Sequence, residues 1–151
     1  MRRNMKGFTL IEIMITVVIV GILFTVAIPS YRDYIYRAQI SEGLGAMSSL
    51  RIRMEQYYQD NQTYVGACEN NTAAFLPGTN KDGSLEYFNV ACSNLTNQTY
   101  VLTATGKNGN PFKYTVDQSN NKVTVTTGSS GWPTQVDNTD CWVISNNGQC
   151  Q

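Results

Sequence analysis

The chain contains no histidine among its 151 residues. That removes the commonest general base and the commonest metal ligand together. Charge is scarce as well. Only 15% of residues are charged, and 11 basic side chains balance 11 acidic ones. A polybasic nucleic-acid binder is excluded at the level of the whole chain. No cysteine precedes Cys68, and the four present (Cys68, Cys92, Cys141 and Cys150) include no Cys-x-x-Cys pair. Without that spacing or a histidine, neither a redox dithiol nor the usual zinc site is expected. No glycine-rich phosphate loop, nucleophile–base pair or helix-borne metal motif appears either. The expectation is a non-enzymatic protein with no catalytic residue, no metal and no cofactor. An even cysteine count in a second half rich in Asn, Thr, Gly and Ser suits an exported, β-rich, disulfide-bonded domain.

What is present in quantity is apolar surface near the N-terminus. From Phe8 to Ile28 there are 21 residues, of which Glu12 is the only charged one. About 20 apolar residues are what a helix needs to cross the hydrocarbon core of a bilayer. Arg2, Arg3 and Lys6 precede the run with no acid among them. Removing residues 1–7 would leave 8 basic against 11 acidic side chains, a net charge of −3. An ordinary signal peptide has the same basic-then-apolar order, but this run is too long for a typical one. The residues after it offer only Thr25-Val26-Ala27 as a weak small-x-small site. A plain anchor would leave Glu12 unexplained. An acid at the centre of a membrane helix costs roughly 2.5–3.5 kcal/mol, and less near an end. A cut between Gly7 and Phe8 would create an α-amine within one or two helical turns of Glu12, a natural partner within one molecule or between neighbours.

Lys6-Gly7-Phe8-Thr9-Leu10-Ile11-Glu12 resembles the class III signal of type IV prepilins, and the likeness extends over residues 2–35 through Pro29 and the Tyr31/Tyr34 pair. The resemblance implies that a membrane prepilin peptidase cuts after Gly7 and N-methylates Phe8. It implies that Glu12 pairs with the N-terminus of a neighbouring subunit, with Thr9 and Pro29 belonging to the same assembly segment. The implied organisation is a cleaved leader over 1–7, a transmembrane and assembly segment over 8–28, and a globular pilin domain over 29–151. The implied partners are other pilin subunits, the peptidase, an inner-membrane assembly platform and the membrane itself. The implied location is the inner membrane before assembly and an extracellular fibre after it.

Beyond Pro29 the apolar residues Ile40, Leu44, Met47, Leu50, Met54 and Tyr57 recur at spacings of three and four, one face of a helix. One long helix is expected from about Phe8 to about Tyr58. Pro29 should kink or loosen it, and Gly43 and Gly45 should form a second soft spot. Asp60 to Ser84 reads as a long loop pinned by Cys68. Short strands follow: Tyr87–Cys92, Tyr100–Thr105 with Tyr100, Leu102 and Ala104 inward, Phe112–Val116, and Lys122–Thr126. Lys107-Asn108-Gly109-Asn110 is a tight hairpin signal. The fold class is therefore α+β: a long N-terminal helix packed on a four-to-five-stranded antiparallel sheet, the pilin roll, with a disulfide-stapled C-terminal loop from Gly128 to Gln151. The favoured pairing is Cys68–Cys92 with Cys141–Cys150. The resemblance supports a cross-link near the C-terminus, and the crossed pairing Cys68–Cys150 with Cys92–Cys141 stays open.

Three functions fit this reading. The first is a structural pilus subunit supporting adhesion, twitching motility or DNA uptake. The second is a pseudopilin of a type II secretion system, for which Asp137, Asn138, Thr139 and Asp140 would be a weak calcium loop and more simply a turn. The third is a minor pilin that binds DNA or a surface, with Lys81, Lys107, Lys113 and Lys122 as its cations. Cys141-Trp142-Val143 near the C-terminus resembles minor pilins over a short match. Abundance is not written in a sequence, so major and minor subunits read alike here.

Overall fold

A computed structural model describes residues 7–68, 85–127, 132, 134–138 and 141–151. Residues up to Ile35 and residues Tyr36–Gln151 form separate compact units. Helix α1 runs from Leu10 to Asn61, 52 residues, with helical assignment continuous across position 29. It ends where Gln62 takes a left-handed conformation (φ 57°) and its N–H returns to the Tyr58 carbonyl at 2.8 Å, a common helix stop. Asp60 and Asn61, expected in the loop, are thus helical, and most of that expected loop lies outside the described residues.

Five strands follow: β1 Phe88–Ser93, β2 Val101–Gly106, β3 Phe112–Asp117, β4 Lys122–Thr126 and β5 Gln135–Asn138. They form one antiparallel sheet in the order β1-β2-β3-β4-β5. Turn chemistry sets the register. Asn108 and Gly109 both have positive φ, 55° and 82°, as a primed two-residue turn demands. Between β3 and β4, the Asp117 carboxylate accepts from the N–H groups of Ser119 and Asn121, both at 2.9 Å, and Asn120 supplies the left-handed residue. This is an Asx-type closure that needs no glycine. The strand β5 falls inside the stretch expected to be an irregular tail. Its alternation is four residues long, too short to stand out among Gly, Ser and Asn. Val125↔Gln135 and Lys122↔Asn138 mark its pairing.

The core lies in the Tyr36–Gln151 unit. Ile40, Leu44, Met47, Leu50 and Met54 from α1 are buried together with Phe88, Tyr100, Leu102, Ala104, Phe112, Tyr114 and Val116 from the sheet side. Both expected apolar faces are the observed ones. Gly43, expected as a soft spot, has a packing role instead. A Cβ there would sit 2.7 Å from Cδ2 of the Phe88 ring, while at Gly45 it would meet nothing within 4 Å. On β4 the inward residues are Thr124 and Thr126, not the valines. The Thr124 hydroxyl accepts the Val143 N–H at 3.1 Å, so this part of the sheet receives the C-terminal segment's backbone. The Tyr114 hydroxyl donates to the Val143 carbonyl at 3.0 Å, and the Trp142 indole N–H to the Thr115 carbonyl at 2.9 Å.

The disulfides are Cys68–Cys92 and Cys141–Cys150, closing sequence separations of 24 and 9. Loops of that size correspond to about 2–4 kcal/mol each of removed unfolded-state entropy.

Two carboxylates of α1 tie non-helical chain to the helix. Glu42 accepts the backbone N–H groups of Glu86 and Tyr87 at 2.6 and 2.8 Å, fixing the chain two residues before β1. Glu55 accepts the hydroxyls of Tyr64 and Tyr100, both at 3.1 Å. Burial first, and Glu55 beside it, pushes the Tyr64 hydroxyl up to about 12. Burial, then the Glu55 hydrogen bond, raises Tyr100 still further, and burial alone raises Tyr114.

Two outcomes are expected. Glu42→Gln keeps one acceptor but turns an NH2 group toward a backbone N–H. It should cost about 1–2 kcal/mol, read as a lower urea midpoint of the full chain in detergent. The tyrosines set an alkaline limit. Free phenols ionise near pH 10, whereas these stay protonated when folded. The urea midpoint should be flat below about pH 10 and fall as pH rises toward the raised values. A midpoint unchanged to pH 12 would refute the assignment.

Candidate functional site

The N-terminal unit is organised by apolar side chains that its own chain leaves uncovered. Phe8 is 81% exposed, Leu10 78% and Val26 70%, and every described side chain from Gly7 to Ile28 is in the exposed class. The segment is long and apolar enough to cross a membrane, and none of it is buried. Helical periodicity carries no information here because apolar residues occupy every face, as in a helix surrounded by lipid or by like helices.

At the start of that helix the structure shows a feature the spacing Thr-x-x-Glu could have revealed and the sequence reading passed over. Thr9 N–H points to Glu12 Oε2 at 3.5 Å, and Glu12 N–H donates to Thr9 Oγ1 at 3.3 Å. This reciprocal pair is a capping box, looser than a tight one, that serves two of the amides a helix start leaves unbonded. Thr16 Oγ1 donates to the Glu12 carbonyl at 2.7 Å, one turn on. The carboxylate also lies in the first turn, where the aligned peptide dipoles favour negative charge. Glu12 thus has a local role at the helix terminus, alongside any role between molecules. Gly7 precedes it, exposed, and a Cβ added there meets nothing within 4 Å. The chain's own described residues therefore do not demand glycine at this position.

The cations suggested for DNA do not share one face. Lys113 is exposed on β3, flanked in register by Thr105 and Val125. Lys122 is on the opposite, inward-facing set, with its Nζ 4.6 Å from the centre of the Trp142 ring. Lys107 follows β2, its N–H bonded to the Tyr87 carbonyl at 2.9 Å. Lys81 lies outside the described residues. Arg51, not singled out from sequence, bonds through Nη1 to the side-chain carbonyl of Asn120. With Ser48, Ile52, Glu55, Lys122 and Trp142 it lines a shallow groove of about 350 Å³. Asp137 and Asn138, expected in a turn, belong to β5, and Thr139 and Asp140 lie outside the described residues. Among the described residues no cluster of three metal-ligating side chains occurs.

Comparison with known proteins gives two family matches. Residues 2–28 match the prokaryotic N-terminal methylation motif, and residues 29–127 match the model described as type IV minor pilin ComP, DNA uptake sequence receptor. Among curated proteins, a type IV major fimbrial protein FimA of Dichelobacter nodosus is 43% identical over 86 residues, 55% of this chain and 51% of that protein. Another protein of that name and organism is 48% identical over 73 residues, 48% of this chain and 42% of the relative. A fimbrial protein of Dichelobacter nodosus is 48% identical over 62 residues, 41% and 39% of the two chains. The chain thus spans about half or less of the length of these relatives. No solved structure matches. The second family model covers more than half of the chain, from the middle of α1 through β4, and with the methylation motif ahead of it the chain belongs to the type IV minor pilin ComP family.

Proposed function

We propose that this protein is a structural minor subunit of a type IV pilus, held in the inner membrane by Phe8–Ile28 and incorporated through that same segment into an extracellular fibre. The observation that carries the reading is a wholly exposed apolar helix with one carboxylate, continuous with α1 of a disulfide-bonded pilin domain. The family description names a minor pilin and the curated relatives a major one. We favour the minor assignment because the family match spans the globular domain, where subunits of one fibre differ.

In this reading the prepilin peptidase cuts between Gly7 and Phe8 and methylates Phe8. Thr9 and Glu12 both lie on the mature side of that bond, so their cap survives the cut. Lipid tails and neighbouring helices are about equally apolar, so leaving the bilayer gains little from hydrophobicity alone. Glu12 supplies the difference. In lipid it is a costly charge, while in the fibre it meets the positive N-terminus of another subunit. The assembly platform of the inner membrane and the other pilins of the fibre are the partners this requires.

The family description names a DNA uptake sequence receptor, which supports DNA contact as a second role for this chain. Among the described residues the cations form no continuous basic stripe, so contact would rest on separate cations, with Lys113 more open than Lys107 or Lys122 and Lys122 held over Trp142.

Glu12→Leu should stay in the membrane and be processed, yet fall sharply in sheared surface fibres while the fibres themselves persist. Immunoblotting the sheared fraction measures this, and normal incorporation would sink the role given to Glu12. In the same assay Gly7→Leu should retain the leader by intact mass. For DNA, full-length protein in detergent should shift duplex at low salt. Lys113→Ala should weaken binding more than Lys122→Ala and reduce the salt slope by about one counterion. No shift at low salt would remove the DNA role.

A further inference from the structure

Most aromatic rings of the globular unit are engaged. Tyr36 meets Phe112 edge-on at 5.4 Å, Tyr58 stacks on Tyr64 at 4.7 Å, and Tyr64 meets Tyr100 at 4.7 Å. Tyr31 and Tyr34 are different. They are 68% and 71% exposed, more than any other large hydrophobic side chain after the apolar run among the described residues. Neither has a ring or hydroxyl partner among the described residues. They are three residues apart on α1, hence neighbours on one helical face, and exposed Arg32 lies between them.

Their distance from the apolar run is informative. At about 1.5 Å per residue, Phe8 to Ile28 spans roughly 30 Å, the thickness of the hydrocarbon core. Tyr31 then lies about 4–5 Å beyond its far boundary and Tyr34 about 9 Å beyond. The headgroup layer is about 5–8 Å deep on each side, so Tyr31 falls within it and Tyr34 at its outer edge. Tyrosine, with an apolar ring and a polar tip, is the residue type suited to that layer, and an arginine beside it can extend its charge outward to phosphates.

We propose that Tyr31 and Tyr34, with Arg32, form an interfacial anchor that docks in the phospholipid headgroup layer and fixes the depth of the stored helix. The inference rests on reading Phe8–Ile28 as a membrane span. Its consequence is positional. With Tyr31 seated at one interface, the Gly7–Phe8 bond is held at the other, where a membrane peptidase can reach it, and Glu12 is held about 6 Å inside the hydrocarbon. The occupant is the glycerol and phosphate region of the lipid. The continuity of the exposed rings with the span selects it over a soluble ligand.

The test uses full-length protein in phosphatidylcholine vesicles at low protein-to-lipid ratio, with single tryptophans introduced as Tyr31→Trp, Tyr34→Trp and Val18→Trp. All three positions are exposed, so none disturbs packing. The native Trp132 and Trp142, both buried in the globular unit, give a constant background. Lipids brominated near the headgroup should quench Tyr31→Trp and Tyr34→Trp more than lipids brominated near the chain end, with emission shifted to shorter wavelength. Val18→Trp should show the reverse order. Deep quenching at position 18 with none at 31 or 34 would overturn the anchor and leave the span intact. No quenching at position 18 would overturn the span and the anchor together. As a second readout, the double variant Tyr31→Ala/Tyr34→Ala should shift the quenching profile of Val18→Trp, since the helix loses its depth reference. An unshifted profile would show that these tyrosines do not set depth.

Discussion

Apolar surface that no other described residue covers is the constraint to which the rest of this protein answers. Twenty-one consecutive residues with a single charge cannot be left in water, since each exposed aliphatic side chain forgoes about 1.5–3 kcal/mol of burial. In the function proposed above, lipid meets that demand first and neighbouring helices meet it later. The lone carboxylate makes the two environments unequal. In the isolated chain it also belongs to the helix start, where Thr9 and Glu12 exchange hydrogen bonds. Under the proposed assembly role, one residue links the local rule for beginning a helix to the energetic reason for leaving the membrane.

The globular unit solves a different problem with the same helix. There α1 is one-sided, and Ile40, Leu44, Met47, Leu50 and Met54 share a core with the sheet. A single helix over five strands leaves long connections to control. Covalent and electrostatic ties do that work. Cys68–Cys92 joins the stretch after the helix to β1, Glu42 holds the backbone just before β1, and Glu55 holds two tyrosines from separate segments. Ties of this kind do not require the intervening chain to contribute to the core.

Sequence showed the helix, the four clear strands and both inward sets because periodicity is imposed by burial, and burial was one-sided in each. Phe112, Tyr114 and Val116 alternate in the chain and are all buried in the fold. The opening motif and its carboxylate were legible because charge in an apolar run is rare. What escaped was set by partners distant in sequence. Gly43 reads as a weak point until Phe88 is placed against it. β5 reads as loop because its partner strand, not its own composition, orders it. Lys107, Lys113 and Lys122 read as a group until strand parity sends Lys113 and Lys122 to opposite faces. The capping box was readable locally, but Glu12 already had a more conspicuous explanation.

The threonines on the inner face of β4 bear on how such a protein can diversify. The C-terminal segment is attached there by two of its main-chain groups, Val143 N–H to Thr124 and the Val143 carbonyl to the Tyr114 hydroxyl, and by one side chain, the Trp142 indole on the Thr115 carbonyl. Main-chain attachment is nearly blind to most side chains of the attached segment. Together with a disulfide that closes it upon itself, this lets exposed residues beyond Ser145, such as Asn146 and Gln149, change identity while buried Trp142 and Val143 hold the segment in place. The fold therefore places few demands on what the end of that segment presents, and its exposed residues can change over generations at little structural risk.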